Sequence, residues 1–430
     1  MNPHRLSMVR PRERMIRQVR LFFIIATAAM LLSWNFPINA KARAVELDPS
    51  FGNDGMVTTD FSHGYDAISD IAVDPYGKIV VAGARLARYN PDGTLDTSFG
   101  YYGSVVPQFP GSAEFMGRVA IQRDGKVLVP LASSEERGFQ LARYNYDGSP
   151  DLSFGTDGLV KDFVGEQAIA QQVAIQHNGK IVVAGFTRIV GTSMEFRYAL
   201  VRYEPDGSRD DSFGTNGVVI ANMHTYGGIM AMDLDTRGRI VVSGTRMARF
   251  NTDGSLDSSF GSDGIVHPSY PAYPIYDIAI RPDGKIFTAG ETYIWPESDN
   301  FALTCYNSDG SLDLSFGSGG TVNTNFPGYS DFVGRNDTAN TIALQPDGKI
   351  ILAGSTSGGW LFTLFAMARY NSDGSLDTLV TTDFGFWDRN SRANAIAILP
   401  EGRIILVGST ASSISGATDF ALACYKWKND

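Results

Sequence analysis

The sequence predicts an all-β fold, a seven-bladed β-propeller of four-stranded antiparallel blades spanning residues 45–430, and three observations predict it. First, a unit recurs seven times: a hydrophobic stretch, a DGK-type turn, a second hydrophobic stretch, and a segment close to ARYNxDGSLDxSFG. Second, the turn glycines Gly77, Gly125, Gly179, Gly238, Gly284, Gly348 and Gly402 are spaced by 48, 54, 59, 46, 64 and 54 residues, a period that marks a repeat architecture. Third, the last repeat stops at Cys424-Tyr425 without SLDxSFG, whereas Glu46-Leu47-Asp48-Pro49-Ser50-Phe51-Gly52 supplies such a segment near the N-terminus. In a ring of radial blades, Gly55 to Phe61 then becomes the outermost strand of the seventh blade and leaves no open end.

Ahead of the repeats, residues 1–20 carry six arginines, Leu21 to Leu32 is an uncharged apolar run, and Ala42-Arg43-Ala44 is a small-x-small site. The pattern is that of a Sec-type signal peptide, residues 1–44, cleaved near Ala44. Twelve apolar residues fall short of the roughly 20 that span a bilayer. No twin-arginine pair precedes the run. Secretion or a periplasmic location is therefore expected, with no membrane span after cleavage.

Residues 1–44 hold eight Lys or Arg and one acidic residue, so their loss takes the formal charge from −10 to −17. Phosphate binding needs clustered Lys and Arg, so nucleic acid is not an expected partner. A monomer is expected.

In the first blade, strands are expected to end at Ile71 to Val73 and to cover Lys78 to Ala82, Leu86 to Tyr89 and Gly103 to Gln108. The DPYGK turn joins the first two, its glycine supplying the positive φ of a tight hairpin. Runs such as IVVAG are apolar at successive positions, which means that both sheet faces are covered. Alanines recur in the first strand (Ala72, Ala120, Ala174, Ala279, Ala343, Ala397), and Asp233 takes that position in blade four. The sixth repeat departs too, since Asp377-Thr378 runs into Leu379 without SFGxxG.

Cys305 and Cys424 replace the arginine held elsewhere by Arg88, Arg143, Arg202, Arg249 and Arg369. One blade separates them, beyond the reach of a disulfide, so two buried free thiols are expected. The arginines are expected to pair with carboxylates of the Asp96 type. The recurring phenylalanines Phe51, Phe99, Phe154, Phe213, Phe260 and Phe316 read as packing anchors.

The unit FALxRYNxDGSLDxSFGxxGxVxTDF followed by AxAIxPDGKIVVAG resembles the delta-60 repeat of bacterial secreted and surface proteins, from about Glu46 to Trp427. That resemblance implies a strand arrangement similar to NHL-type propellers and no transferable activity.

Catalytic signatures such as G-x-S-x-G, H-E-x-x-H and phosphate-cradling loops are missing from the sequence. The N-x-D-G-x-x-D segments (Asn90, Asp92, Gly93, Asp96) look superficially like calcium loops, but Arg88 and Phe99 stand where carboxylate ligands belong. They read as Asx-stabilised turns. No cofactor or metal is expected, calcium being the alternative the segment raises.

Function is expected in the variable connections, fourth strand to first and second to third, which are rich in aromatics and carboxylates. Glu291, Trp295, Asp331, Arg335, Trp360, Trp387, Asp388 and Arg389 form the clearest group. His63, Asp66, Glu114, Glu166, His224 and Asp233 are candidates for the mouth of the central channel. Aromatics beside carboxylates suit a non-catalytic binder of a glycan, peptide or envelope protein. The alternative is a hydrolase or lactonase-type enzyme with a carboxylate or divalent-cation site, which would require those carboxylates to converge.

Overall fold

A computed structural model describes residues 45–428, apart from segments 62–63, 108, 110–111, 116, 134–137, 166, 189–195, 222–226, 269–271, 295–297, 327–335, 358–361, 386–389 and 412–416. Seven antiparallel sheets follow one another along the chain, the first six running from an inner to an outer strand in sequence order and the seventh taking its outer strands from the N-terminal segment. Blade one is Ile68–Val73, Ile79–Gly83, Leu86–Tyr89 and Ser104–Val105. Its second strand, IVVAG, is buried at every position, as the unbroken apolar run predicts. The outer strand is shorter than the sequence suggests: only Ser104 and Val105 pair, with Ala87 and Leu86, and Pro107 just beyond has no N–H to extend the ladder.

The ring closes as the complementary ends predict. Met56–Thr59 pairs with Thr418–Trp427, Met56 opposite Ala423 and Thr59 opposite Phe420. Val45–Leu47 lies on the same strand, Val45 opposite Trp427. Phe51 between them is fully buried in a cluster that joins blade one (Ile79, Tyr89) to blade seven (Leu422, Cys424).

A repeated device holds each of blades one to four to the next. Arg88 Nε donates to Asp96 at 2.9 Å, Lys78 of the hairpin turn adds a second bond to Asp96 at 2.8 Å, and the guanidinium lies 4.7 Å from the Phe99 ring centre. Another of its nitrogens donates to the carbonyl of Tyr146 in blade two. Arg143 with Asp151, Arg202 with Asp210 and Arg249 with Asp257 repeat the pairing, and their guanidiniums donate to Pro205, Thr252 and Ser308 of the following blades. Burial alone would raise the Asp96 carboxyl, but hydrogen bonds from Lys78 and Ser98 and the charge of Arg88 hold it well below the usual range.

Blade six lacks the phenylalanine, and the ring of Trp427 from blade seven covers Arg369 instead, 3.3 Å from its centre. Without the SFGxxG insert the outer strand there, Leu376–Thr382, is seven residues long. The thiols of Cys305 and Cys424 are free and buried. Burial pushes both up to about 12.

The N-x-D-G segments are Asx turns. Asp92 Oδ1 accepts from the Thr94 backbone at 3.0 Å, and Asp147, Asp206, Asp253, Asp309 and Asp373 do the same for the serine two residues on.

Candidate functional site in the central channel

The inner strands carry a bulge at one recurring place. Register shifts fall between Ile68 and Asp70, Ala170 and Gln172, Ile275 and Asp277, Ala339 and Thr341, and Ala393 and Ala395. The glycine closing IVVAG sits against this bulge: a Cβ on Gly83 would lie 1.9 Å from the Ala67 carbonyl oxygen, and on Gly185 1.9 Å from that of Ile169. A bulge re-aims the following side chain. Residues seven or eight positions before every turn glycine line a channel cavity of about 80 Å³, walled by Asp70, Arg118, Gln172, Met230, Asp277, Asn340, Thr341 and Asn394, among others.

All seven blade junctions are strapped at this tier or just beside it. Asp70 accepts from the Val119 backbone at 2.7 Å, joining blades one and two. The Arg118 backbone donates to the Gln171 carbonyl at 3.1 Å, joining two and three. Gln172 donates to the Met230 carbonyl at 2.9 Å, and Asp233 accepts from the Ile280 backbone at 2.8 Å. Asp277 accepts from Thr341 Oγ1 and the Ile342 backbone, both at 3.0 Å. Asn340 donates to the Ala393 carbonyl and Asn394 to the Ile68 carbonyl, each at 2.8 Å.

Arg118 also crosses the channel. Its guanidinium, carried by blade two, forms an ion pair with Asp277 of blade five and donates to the Met232 carbonyl of blade four at 3.3 Å. The charge of the same guanidinium also acts on the carboxyls of Asp70 and Asp233. Asp70 keeps part of its surface on the channel cavity, yet burial still pushes its carboxyl up to about 6 against the lowering charge of Arg118. Asp233 is raised for the same reason.

Toward the connecting loops a second polar group stands in blades five and six. Glu291 accepts from Tyr276 Oη and from Thr338 Oγ1, both at 3.0 Å. Asp299 is raised by burial and then by the charge of Glu291. Burial and the same carboxylate push the Tyr276 phenol upward.

The predicted candidates are distributed as follows. Glu291 heads this loop-side group, and Asp233 lies on the inner strand of blade four, two residues beyond the positions that line the channel cavity. Asp66 is buried at the start of the inner strand of blade one, where its carboxylate accepts from the Phe61 backbone at 3.0 Å and its backbone bonds Thr418 of blade seven at 2.8 Å. Each of these three carboxylates has its own partners. His63, Glu166, His224, Trp295, Asp331, Arg335, Trp360, Trp387, Asp388 and Arg389 lie outside the described residues, as does the side chain of Glu114. Among the described residues, no group of three or more His, Cys, Asp or Glu is arranged to hold a metal ion.

Sequence reading missed Asp70, Arg118 and Asp277. The signal was available: aligning the repeats on their turn glycines puts all three seven residues upstream. A larger depression of about 1000 Å³ lies on the outer rim of blades four to six, beside His267, Asn323 and Asp373. It brings together no acid–base pair like that of Glu291 and Asp299.

No curated protein matches the chain in sequence. Among solved structures, hydrazine synthase from Kuenenia stuttgartiensis is similar at 10% identity and TM-score 0.48, covering 85% of this chain and 96% of that one. A putative oxidoreductase (glucose dehydrogenase) from Thermus thermophilus is similar at 13% identity and TM-score 0.39, covering 86% and 100%. A Bacteroides caccae protein of unknown function is similar at 14% identity and TM-score 0.34, covering 60% and 81%. Residues 77–99, 122–154, 176–213, 238–260, 281–316 and 345–379, one stretch in each of blades one to six, match the model of the DUF5122 beta-propeller, a domain of unknown function.

Proposed function

We propose that the chain is a non-catalytic binding propeller of delta-60-type repeats, exported through residues 1–44, whose connecting-loop face takes a glycan, peptide or envelope partner. One observation carries the reading: in the channel tier, Arg118 is paired across the ring with Asp277, and Asp70, Asp233 and Asp277 accept backbone N–H groups of the neighbouring blades. Carboxylates held in that way are wall material rather than acid–base groups. Recognition then falls to the loops, which hold Trp295, Trp360 and Trp387 in sequence. The partner is bound as a monomeric receptor binds it, without cofactor.

The hydrolase reading rests on a different observation, the Glu291 carboxylate beside an Asp299 whose proton is held more tightly by burial and by that charge. Two neighbouring carboxyl groups are what a general acid–base mechanism would draw on.

Thermal unfolding of residues 45–430 against envelope and plant glycans, peptides and divalent cations tests both readings. A ligand at 100 times its Kd adds about 2.7 kcal/mol. A shift with a glycan or peptide that is lost in Trp360→Ala or Trp387→Ala supports the binding module. Turnover of an ester or lactone that is abolished by Glu291→Gln would replace it with the enzyme.

A further inference from the structure

The opposite face, built from the otherwise uniform hairpin and Asx turns, departs from its own repeat at one place. Tyr76 stands where the other hairpin turns have Asp124, Asn178, Arg237, Asp283, Asp347 and Glu401. Tyr146 replaces the Pro, Thr or Ser of Pro91, Pro205, Thr252, Ser308 and Ser372, and Tyr101-Tyr102 replaces pairs such as Thr156-Asp157 and Thr215-Asn216. All four departures are to tyrosine, and all four lie in blades one and two.

The structure brings them to one surface. Tyr76 and Tyr146 meet edge to face at 6.2 Å, and Tyr101 and Tyr102 at 4.6 Å. The Gly100 backbone donates to the Asp147 carbonyl at 2.7 Å, which sets the Tyr101-Tyr102 turn against the turn that carries Tyr146. The rings are 77% (Tyr76), 80% (Tyr101), 70% (Tyr102) and 38% (Tyr146) exposed, so they contribute little to the core. Tyr146 is fixed by the Arg88 guanidinium, 4.3 Å from its ring centre.

Tyr102 also carries strain. Its φ is +49°, and the equivalent residues Asp54, Asp157, Asn216 and Asp263 share that left-handed conformation. Asp and Asn tolerate it, whereas a bulky side chain there is a genuine outlier. Strain of this kind collects at functional positions.

We propose that this tyrosine platform is a binding site for a neutral polysaccharide, separate from the loop-face site. Flat exposed rings stack on the apolar faces of sugars while their hydroxyls bond sugar hydroxyls. The surrounding charges are engaged within the protein: Lys78 with Asn90 and Asp96, Lys126 with Asp151, and Asp92 and Asp147 with the hydroxyls of Thr94 and Ser149. Of the large apolar side chains exposed on these turns, four are tyrosines and one, Leu152, is aliphatic, a more aromatic surface than the mixed centre of a protein interface.

The test uses residues 45–430 in depletion assays on insoluble cellulose, curdlan, mannan and chitin. Retention on at least one is expected, and the repeat-restoring variant Tyr76→Asp/Tyr101→Thr/Tyr102→Asn/Tyr146→Ser should weaken it about tenfold or more. Tyr102→Asn alone should weaken binding while raising the unfolding midpoint, a combination that a packing role cannot produce. Tyr65→Ser, an exposed tyrosine in the connection leading into blade one, should change neither. Retention on none of the four, unchanged retention by the fourfold variant, or retention lost instead with Trp360→Ala would overturn the platform; the last outcome would leave the loop-face reading standing. Capture of a protein through these tyrosines, with no polysaccharide retained, would overturn it too.

Discussion

Phe51→Ala tests whether the N-terminal segment is an integral part of the ring or a dispensable strap. Phe51 is fully buried, as are Phe99, Phe154, Phe213 and Phe260 in their blades, and it packs between blades one and seven. Removing a buried phenylalanine costs about 3–5 kcal/mol, against a total stability of roughly 5–15 kcal/mol for a typical domain. With a urea slope of about 3 kcal/mol/M, the midpoint should fall by about 1–1.7 M. Urea unfolding of residues 45–430, followed by tryptophan fluorescence and far-UV circular dichroism, measures it, with Phe99→Ala as internal standard. The two substitutions should cost the same within about 1 kcal/mol. A Phe51→Ala midpoint indistinguishable from wild type, beside a clear Phe99→Ala shift, would refute the closure argument. Deleting residues 45–61 should likewise destabilise the fold sharply, since it leaves Thr418–Trp427 as an unpaired edge.

Asp70→Asn should be read against pH. The folded carboxyl sits at about 6 against an ordinary 3.8, so the fold binds the extra proton between those values. Its contribution is present below about pH 4 and lost as pH rises through 6, and the variant should gain on wild type by on the order of 1–3 kcal/mol from pH 4 to pH 7. Arg118→Met strands Asp277 in the channel and should cost roughly 3 kcal/mol in urea unfolding; a change below about 0.5 kcal/mol would show that the cross-channel pair is not formed in solution. Cys305 and Cys424, with thiols pushed up to about 12, should resist an aromatic disulfide reagent at pH 8 until the protein unfolds. Rapid labelling of the native protein would contradict their burial.

The ring and its closure were legible because Glu46 to Gly52 repeats what Cys424 lacks, and hydrophobic runs such as IVVAG allow no exposed face. The pairing of Arg88 with Asp96 was legible from eight-residue spacing that recurs. Trp427 as the replacement for the missing phenylalanine of blade six was not, since it comes from a different repeat 58 residues after Arg369. Arg118 escaped for a similar reason: its partner is three blades away, and no local pattern encodes a contact across a channel. The fourth strand of blade one was read too long because Val106 and Gln108 continue its composition, while pairing had already ended at Val105.

The channel straps bear on a hazard peculiar to repeated sequences. Seven similar blades can mispair by skipping a neighbour, as repeat proteins do when they misfold. The straps are chemically unlike: carboxylates that accept from backbone N–H at Asp70, Asp233 and Asp277, amides that donate to carbonyls at Gln172, Asn340 and Asn394, and a guanidinium at Arg118. A slip by one blade would part Asp277 from its cation, Arg118, and leave that carboxylate buried without it. The innermost tier therefore works as a set of address labels, giving each blade an identity that the uniform hydrophobic strands outside it cannot supply.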